Sequence, residues 1–117
     1  MPATSGSRVP RFAVHAAPRE EGGTEVAVFG EFDHATAPGV REALDSAVGA
    51  SGEVRLDLRA CTFIDSSGVG VIVASALRLK ETGRTLQIRG ARQRVRRTFE
   101  IAGLAGHESV RFEPAGG

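Results

Sequence analysis

Phe12 and Val14 alternate with Ala13 and His15, Pro18 and the pair Gly22-Gly23 interrupt the pattern, and Glu25-Val-Ala-Val-Phe29 resumes it. This predicts two strands joined by a turn, an opening hairpin. After Gly30-Glu-Phe-Asp33 the spacing changes. Val40, Leu44, Ala47 and Val48 fall at i, i+4, i+7 and i+8, one face of a helix with Pro38 in its first turn. Gly49 and Gly52 end that helix, and Val54, Leu56 and Leu58 then alternate with Arg55, Asp57 and Arg59, as in a strand buried on one side.

That strand is expected to run on through Phe63-Ile64 into Asp65-Ser66-Ser67-Gly68 and from there directly into a second helix. The core stripe of this helix is read as Val69, Ile72, Val73, Ala76 and Leu77, with Gly83 as a left-handed stop. Leu86 and Ile88 give another alternating strand. Val95, Phe99 and Ala102 give a short third helix, and Val110 and Phe112 a last strand. The order is ββαβαβαβ. Helical crossovers between strands imply parallel neighbours, and the one-sided alternation puts the helices mainly on one sheet face. The expectation is an α/β domain with a mixed sheet, spanning residues 11–113, between poorly ordered tails at 1–10 and 114–117.

Composition narrows the functional classes. A chain of 117 residues with 41% hydrophobic and 25% charged residues has material for one core and one domain. Fifteen basic against fourteen acidic residues leave a net charge of +1, so no global field favours nucleic acid or an anionic membrane. The single cysteine, Cys61, excludes an internal disulfide and suits a reducing compartment. No apolar run reaches signal-peptide or membrane-spanning length, and a cytoplasmic protein is expected.

Asp65-Ser66-Ser67-Gly68 places two hydroxyls at a helix N-terminus. The first turn there leaves backbone N–H groups unpaired and carries about half a unit of positive charge, so either Asp65 or Ser66 can cap it. On a helical wheel Ser67, Gly70, Val71, Ala74, Ser75 and Arg78 point away from the expected core stripe. A solvated face ordinarily carries Lys and Glu; small residues instead leave room for another chain to approach.

The stretch Phe63-Ile-Asp-Ser-Ser-Gly-Val-Gly-Val-Ile72 resembles the signature of STAS domains, especially the bacterial anti-sigma factor antagonists. Gly30-Glu-Phe-Asp33, Val95-Arg-Arg-Thr-Phe99 and Ile101-Ala-Gly-Leu104 are similar to the same family, so the resemblance spans about Phe12 to Phe112. It implies that Ser66 is the residue phosphorylated by an anti-sigma factor serine kinase, and that a metal-dependent serine phosphatase reverses the modification. The unphosphorylated form is implied to bind the anti-sigma factor and free a sigma factor. Asp33 corresponds to a family position near the partner surface, and Asp65 is expected to orient the Ser66 hydroxyl or cap the helix. The expected partner surface comprises Asp33, Asp65, Ser66, Ser67, Gly68, Gly70, Val71 and Ala74. A phosphate on Ser66 would meet the helix dipole and N–H groups, leaving the fold intact. The alternative is a STAS interaction subunit of a signalling or transport assembly with no phosphorylation cycle.

Other chemistry finds less support. His15, His34 and His107 are scattered and form no short-spaced ligand pattern with Cys61, so neither metal nor cofactor is expected. Asp-Ser-Ser-Gly-Val-Gly is not the G-x-S-x-G elbow of a serine hydrolase, and no enzyme activity is expected. Gly68-Val-Gly70 lacks a third glycine at Val73, and no Gly-Lys-Ser/Thr triplet occurs. Arg89, Arg92, Arg94, Arg96 and Arg97 form a basic cluster with only Phe99 among them and no Tyr or Trp in the chain, which suits a solvated face facing acidic protein better than nucleic acid.

Overall fold

Gly22 and Gly23 both take left-handed backbone angles, φ 100° and 90°, and turn β1 (Phe12–Pro18) back onto β2 (Thr24–Phe32). The two strands pair antiparallel, with Phe12 opposite Gly30 and Pro18 opposite Thr24. The computed structural model describes residues 12–104 and 106–113; the expected tails at 1–10 and 114–117, and the boundary at Arg11, lie outside the described residues.

From β2 onward the sheet is parallel. β3 (Val54–Asp57) lies beside residues 24–27 of β2, β5 (Leu86–Arg89) beside β3, and β6 (Val110–Phe112) beside β5. The connecting helices are α1 (Ala37–Gly49), α2 (Ser66–Lys80) and α3 (Gln93–Ile101). Strand order β1-β2-β3-β5-β6 advances in one direction, so right-handed crossovers place all three helices on the same face. Val26, Val28, Leu56, Leu86 and Ile88 meet them there and are fully or almost fully buried. The opposite face carries charge: Glu25 pairs with Arg55 at 3.4 Å and with Arg89 at 3.7 Å. The expected mixed sheet with helices on one face is the fold observed.

The expected strand order is corrected. The strand expected to run unbroken from Val54 into Asp65 is two strands, giving the order ββαββαβαβ. After Asp57 the backbone turns: the Asp57 carboxylate accepts from the Arg59 N–H (3.0 Å), and the Cys61 N–H donates to the Leu58 carbonyl (3.1 Å). The chain re-enters the sheet as β4 (Cys61–Ile64), paired with the upper end of β2 across a register shift between Gly30 and Glu31. Nine-residue β2 thus serves two parallel partners in succession along one edge. The third helical stripe also differs at its end: Ala102 is exposed, and Leu104, past the helix, fills the core instead.

Candidate functional site

Phe32 at the end of β2 pairs with Ile64 at the end of β4, so the residues that follow, Asp33 and Asp65, leave the sheet side by side. Each carboxylate organises its own loop. Asp33 Oδ1 accepts from the Ala35 N–H (3.0 Å) and the Thr36 N–H (3.1 Å), shaping the turn into α1. The Thr36 hydroxyl accepts from the Asp33 N–H (2.9 Å) and donates to the Glu31 carbonyl (2.8 Å).

Asp65 is the N-cap of α2. Its Oδ1 accepts from the N–H groups of Ser67 (2.8 Å) and Gly68 (3.2 Å), and its Oδ2 from the N–H of His34 (3.2 Å). The last bond ties the two loops together. The Asp65 N–H itself donates to the Phe32 carbonyl at 3.3 Å. Among the described residues, the only N–H in the first turn of α2 without a partner is that of Ser66. Of the two capping candidates the structure selects Asp65. Ser66, the first helical residue, is exposed.

Gly68 fixes how closely α2 approaches the sheet. It is buried, and a Cβ there would sit 2.6 Å from Ile64 Cγ1 and 2.8 Å from the Phe32 carbonyl oxygen. The two serines are thereby held over the ends of β2 and β4.

The orientation expected for α2 needs correction. Val71 and Ser75, read as outward-facing, are 3% and 2% exposed, whereas Leu77, assigned to the core, is 47% exposed. The helix packs against α1 as well as the sheet, so its buried arc is wider than a single core stripe and rotated toward α1. The face left open carries Ser66, Gly70, Ala74, Leu77 and Arg78. It remains small in its upper half.

Between the first turns of α1 and α2 lies an open groove of about 470 Å³, lined by His34, Pro38, Arg41, Ser66, Ser67 and Gly70, with Val71 reaching only its buried inner wall. Sequence reasoning had no place for Arg41 in the site. The available signal was the helical phase of α1, which sets Pro38 and Arg41 three residues apart on the flank beside its core stripe.

Two other groups turn out to be structural. Cys61 is fully buried, burial raises its thiol pKa above the ordinary value, and the thiol donates to the Phe63 carbonyl (3.3 Å). Such a thiol is a poor nucleophile. Arg92 donates through Nε to the Arg59 carbonyl (2.9 Å), joining α3 to the turn between β3 and β4.

A family model described as "Mlab, STAS domain" matches residues 15–111. The chain belongs to the STAS domain family. The anti-sigma-B factor antagonist of Listeria monocytogenes is 39% identical over 82 residues, 69% of this STAS domain chain and 72% of the relative. A crystal structure of an anti-sigma factor antagonist from Mycobacterium paratuberculosis superposes with a TM-score of 0.73 at 29% identity, over 89% of this chain and 86% of that one. The anti-sigma factor antagonist SpoIIAA shares the fold in its unphosphorylated form, with a TM-score of 0.71 at 22% identity over 87% and 89% of the two chains. Its phosphorylated Bacillus form does so with a TM-score of 0.62 at 24% identity over 88% and 91%. No helix among the described residues is long and apolar enough to cross a membrane.

Proposed function

We propose that this STAS domain is a cytoplasmic anti-sigma factor antagonist, a regulatory binding protein rather than an enzyme. Unphosphorylated, it binds a kinase-type anti-sigma factor and so releases a sigma factor. Phosphorylation of Ser66 by that kinase ends the interaction, and a metal-dependent serine phosphatase restores it. The observation that carries this reading is the placement of Ser66: exposed, first in α2, at the mouth of a groove bordered by small residues. A kinase needs such a hydroxyl free of internal partners, and no hydrogen bond engages it among the described residues. Both nearby carboxylates are held by backbone N–H groups, Asp33 in the loop before α1 and Asp65 as the cap of α2, which speaks against either acting as a catalytic base. Relatives that carry the antagonist name, and a structural neighbour known in both phosphorylation states, support the same reading.

A phosphate adds about −1.5 to −2 charges and bulk where the partner must approach, without entering the core. The test is intact mass after incubating wild type and Ser66→Ala with kinase-type anti-sigma factors and ATP, together with binding of each form. One phosphate on wild type alone, weaker binding afterwards and unchanged circular dichroism are expected. Binding that persists with no phosphate uptake would instead identify a constitutive interaction subunit.

A further inference from the structure

The sequence led to the expectation that free N–H groups at the start of α2 would receive a phosphate on Ser66. The structure closes that route. Ser67 and Gly68 donate to the Asp65 carboxylate and Asp65 donates to Phe32, so the helix start offers only the N–H of Ser66 itself. A carboxylate already sits where the dipole is positive. A second anion beside it is opposed by the charge of Asp65, and the helix N-terminus cannot by itself compensate the phosphate.

The groove beside Ser66 offers what the helix start does not. Of the side chains lining it, Arg41 is the one permanent cation; it projects from α1 into the same cavity as the Ser66 and Ser67 hydroxyls. Arg41 forms no ion pair with an acidic residue among the described residues, in contrast to Arg55, Arg59, Arg78 and Arg89. It is exposed, so its long stem is free to swing toward either hydroxyl. A guanidinium matches a phosphate monoester with paired N–H donors, the geometry that favours arginine over lysine in phosphate recognition.

We infer that Arg41 is the counter-charge of phosphorylated Ser66, holding the phosphate in the groove between α1 and α2. This rests on the reading that Ser66 carries the phosphate. It adds a regulatory consequence: phosphorylation converts the open groove into an α1–α2 ion pair, occupying the floor of the partner surface as well as changing its charge. The charged and titratable groups facing the phosphate are Arg41 and His34 from the α1 side and Asp65 from the α2 side.

The decisive experiment installs phosphoserine at position 66 of the full chain during translation, with no kinase involved, and follows the ³¹P shift against pH. A neighbouring cation favours the dianion and lowers the second phosphate pKa from about 6. Arg41→Gln is expected to raise it by about 0.5 units relative to the phosphorylated parent, a roughly threefold change in the protonation equilibrium. Arg41→Lys should retain part of the effect, and Arg94→Gln, on the exposed side of α3, none. The difference should shrink in high salt. Equal phosphate pKa values in the parent and Arg41→Gln would overturn the proposal, as would an equal shift from Arg94→Gln. Circular dichroism of each variant confirms that the fold is held constant. A failure of every kinase to modify Ser66 would sink the functional reading alone, because this titration does not depend on a kinase.

Discussion

Gly68 and Gly70 stand two residues apart in the first turns of α2 and do opposite things. A Cβ at Gly68 would collide with Ile64 Cγ1 at 2.6 Å and with the Phe32 backbone carbonyl at 2.8 Å, whereas one at Gly70 would meet nothing within 4 Å. Gly68→Ala must therefore push α2 off the sheet or deform the end of β2, at a cost of about 1–3 kcal/mol. Gly70→Ala removes the helix penalty of glycine and should stabilise the domain by about 0.5–1 kcal/mol. Position 70 borders the groove next to Ser66, however, so the added methyl intrudes on the proposed partner surface. Urea unfolding and anti-sigma factor binding, measured on the same samples, are expected to diverge for Gly70→Ala: higher midpoint, weaker binding. Unaltered affinity would move the partner surface away from this turn. Glycine here serves clearance for the core at one site and for a neighbour at the other.

The elements are stapled together by side chains that belong to none of their contacting faces. α1 has no basic residue in its own last turn, leaving its C-terminal carbonyls without a local cation. Arg84, from the turn between α2 and β5, supplies one: it donates to the carbonyls of Val48 (2.8 Å), Ala50 (2.9 Å) and Gly52 (2.9 Å). Arg84→Ala is expected to lower the unfolding free energy by about 1–2 kcal/mol in urea denaturation, with Arg84→Lys recovering little because a point charge cannot span three acceptors. Full recovery by lysine would reduce the contact to a simple dipole effect. Contacts of this kind mark where sequence periodicity stops being informative. Val40, Leu44, Ala47 and Val48 were legible because α1 buries a single stripe. α2 was misread by part of a turn because it is covered from two sides, and two stripes overlap in one pattern. The break after Asp57 escaped because Val54, Leu56 and Leu58 keep their alternation up to the turn itself. Asp65, Ser66, Ser67 and Gly68 were legible as a site because they are contiguous. His34 and Arg41 were not, since only the pairing of Phe32 with Ile64 brings them alongside.

At the scale of the whole molecule, covering one sheet face with three helices leaves the other to be stabilised by charge. The most enclosed charged group on that face is Asp57, only 7% exposed. Burial alone would raise its carboxyl pKa, but hydrogen bonds and charge from Arg59, with a smaller contribution from Arg89, outweigh burial and hold it below the ordinary value. The guanidinium makes contacts of 3.1 Å from Nε and 2.9 Å from Nη2 to the carboxylate. A carboxyl depressed in the folded state contributes stability that is present above its unfolded pKa of about 3.9 and is lost as pH falls through the folded value. Arg59→Gln removes the guanidinium while keeping the backbone N–H bond to Asp57. The variant should therefore be less stable than wild type at pH 7, and the gap should begin to narrow as pH falls past the unfolded value of about 3.9 and close as it falls through the lower folded value, where Asp57 becomes protonated in wild type as well. Urea midpoints measured from pH 7 down to pH 3 decide the matter. The Arg59 stem also packs over Gly90, where a Cβ would lie 2.1 Å from Arg59 Cγ, so a purely steric role would instead give a gap independent of pH. Convergence at acid pH assigns the stabilisation of the open face to the ion pair; a constant gap assigns it to the packing of that stem against the β5–α3 turn.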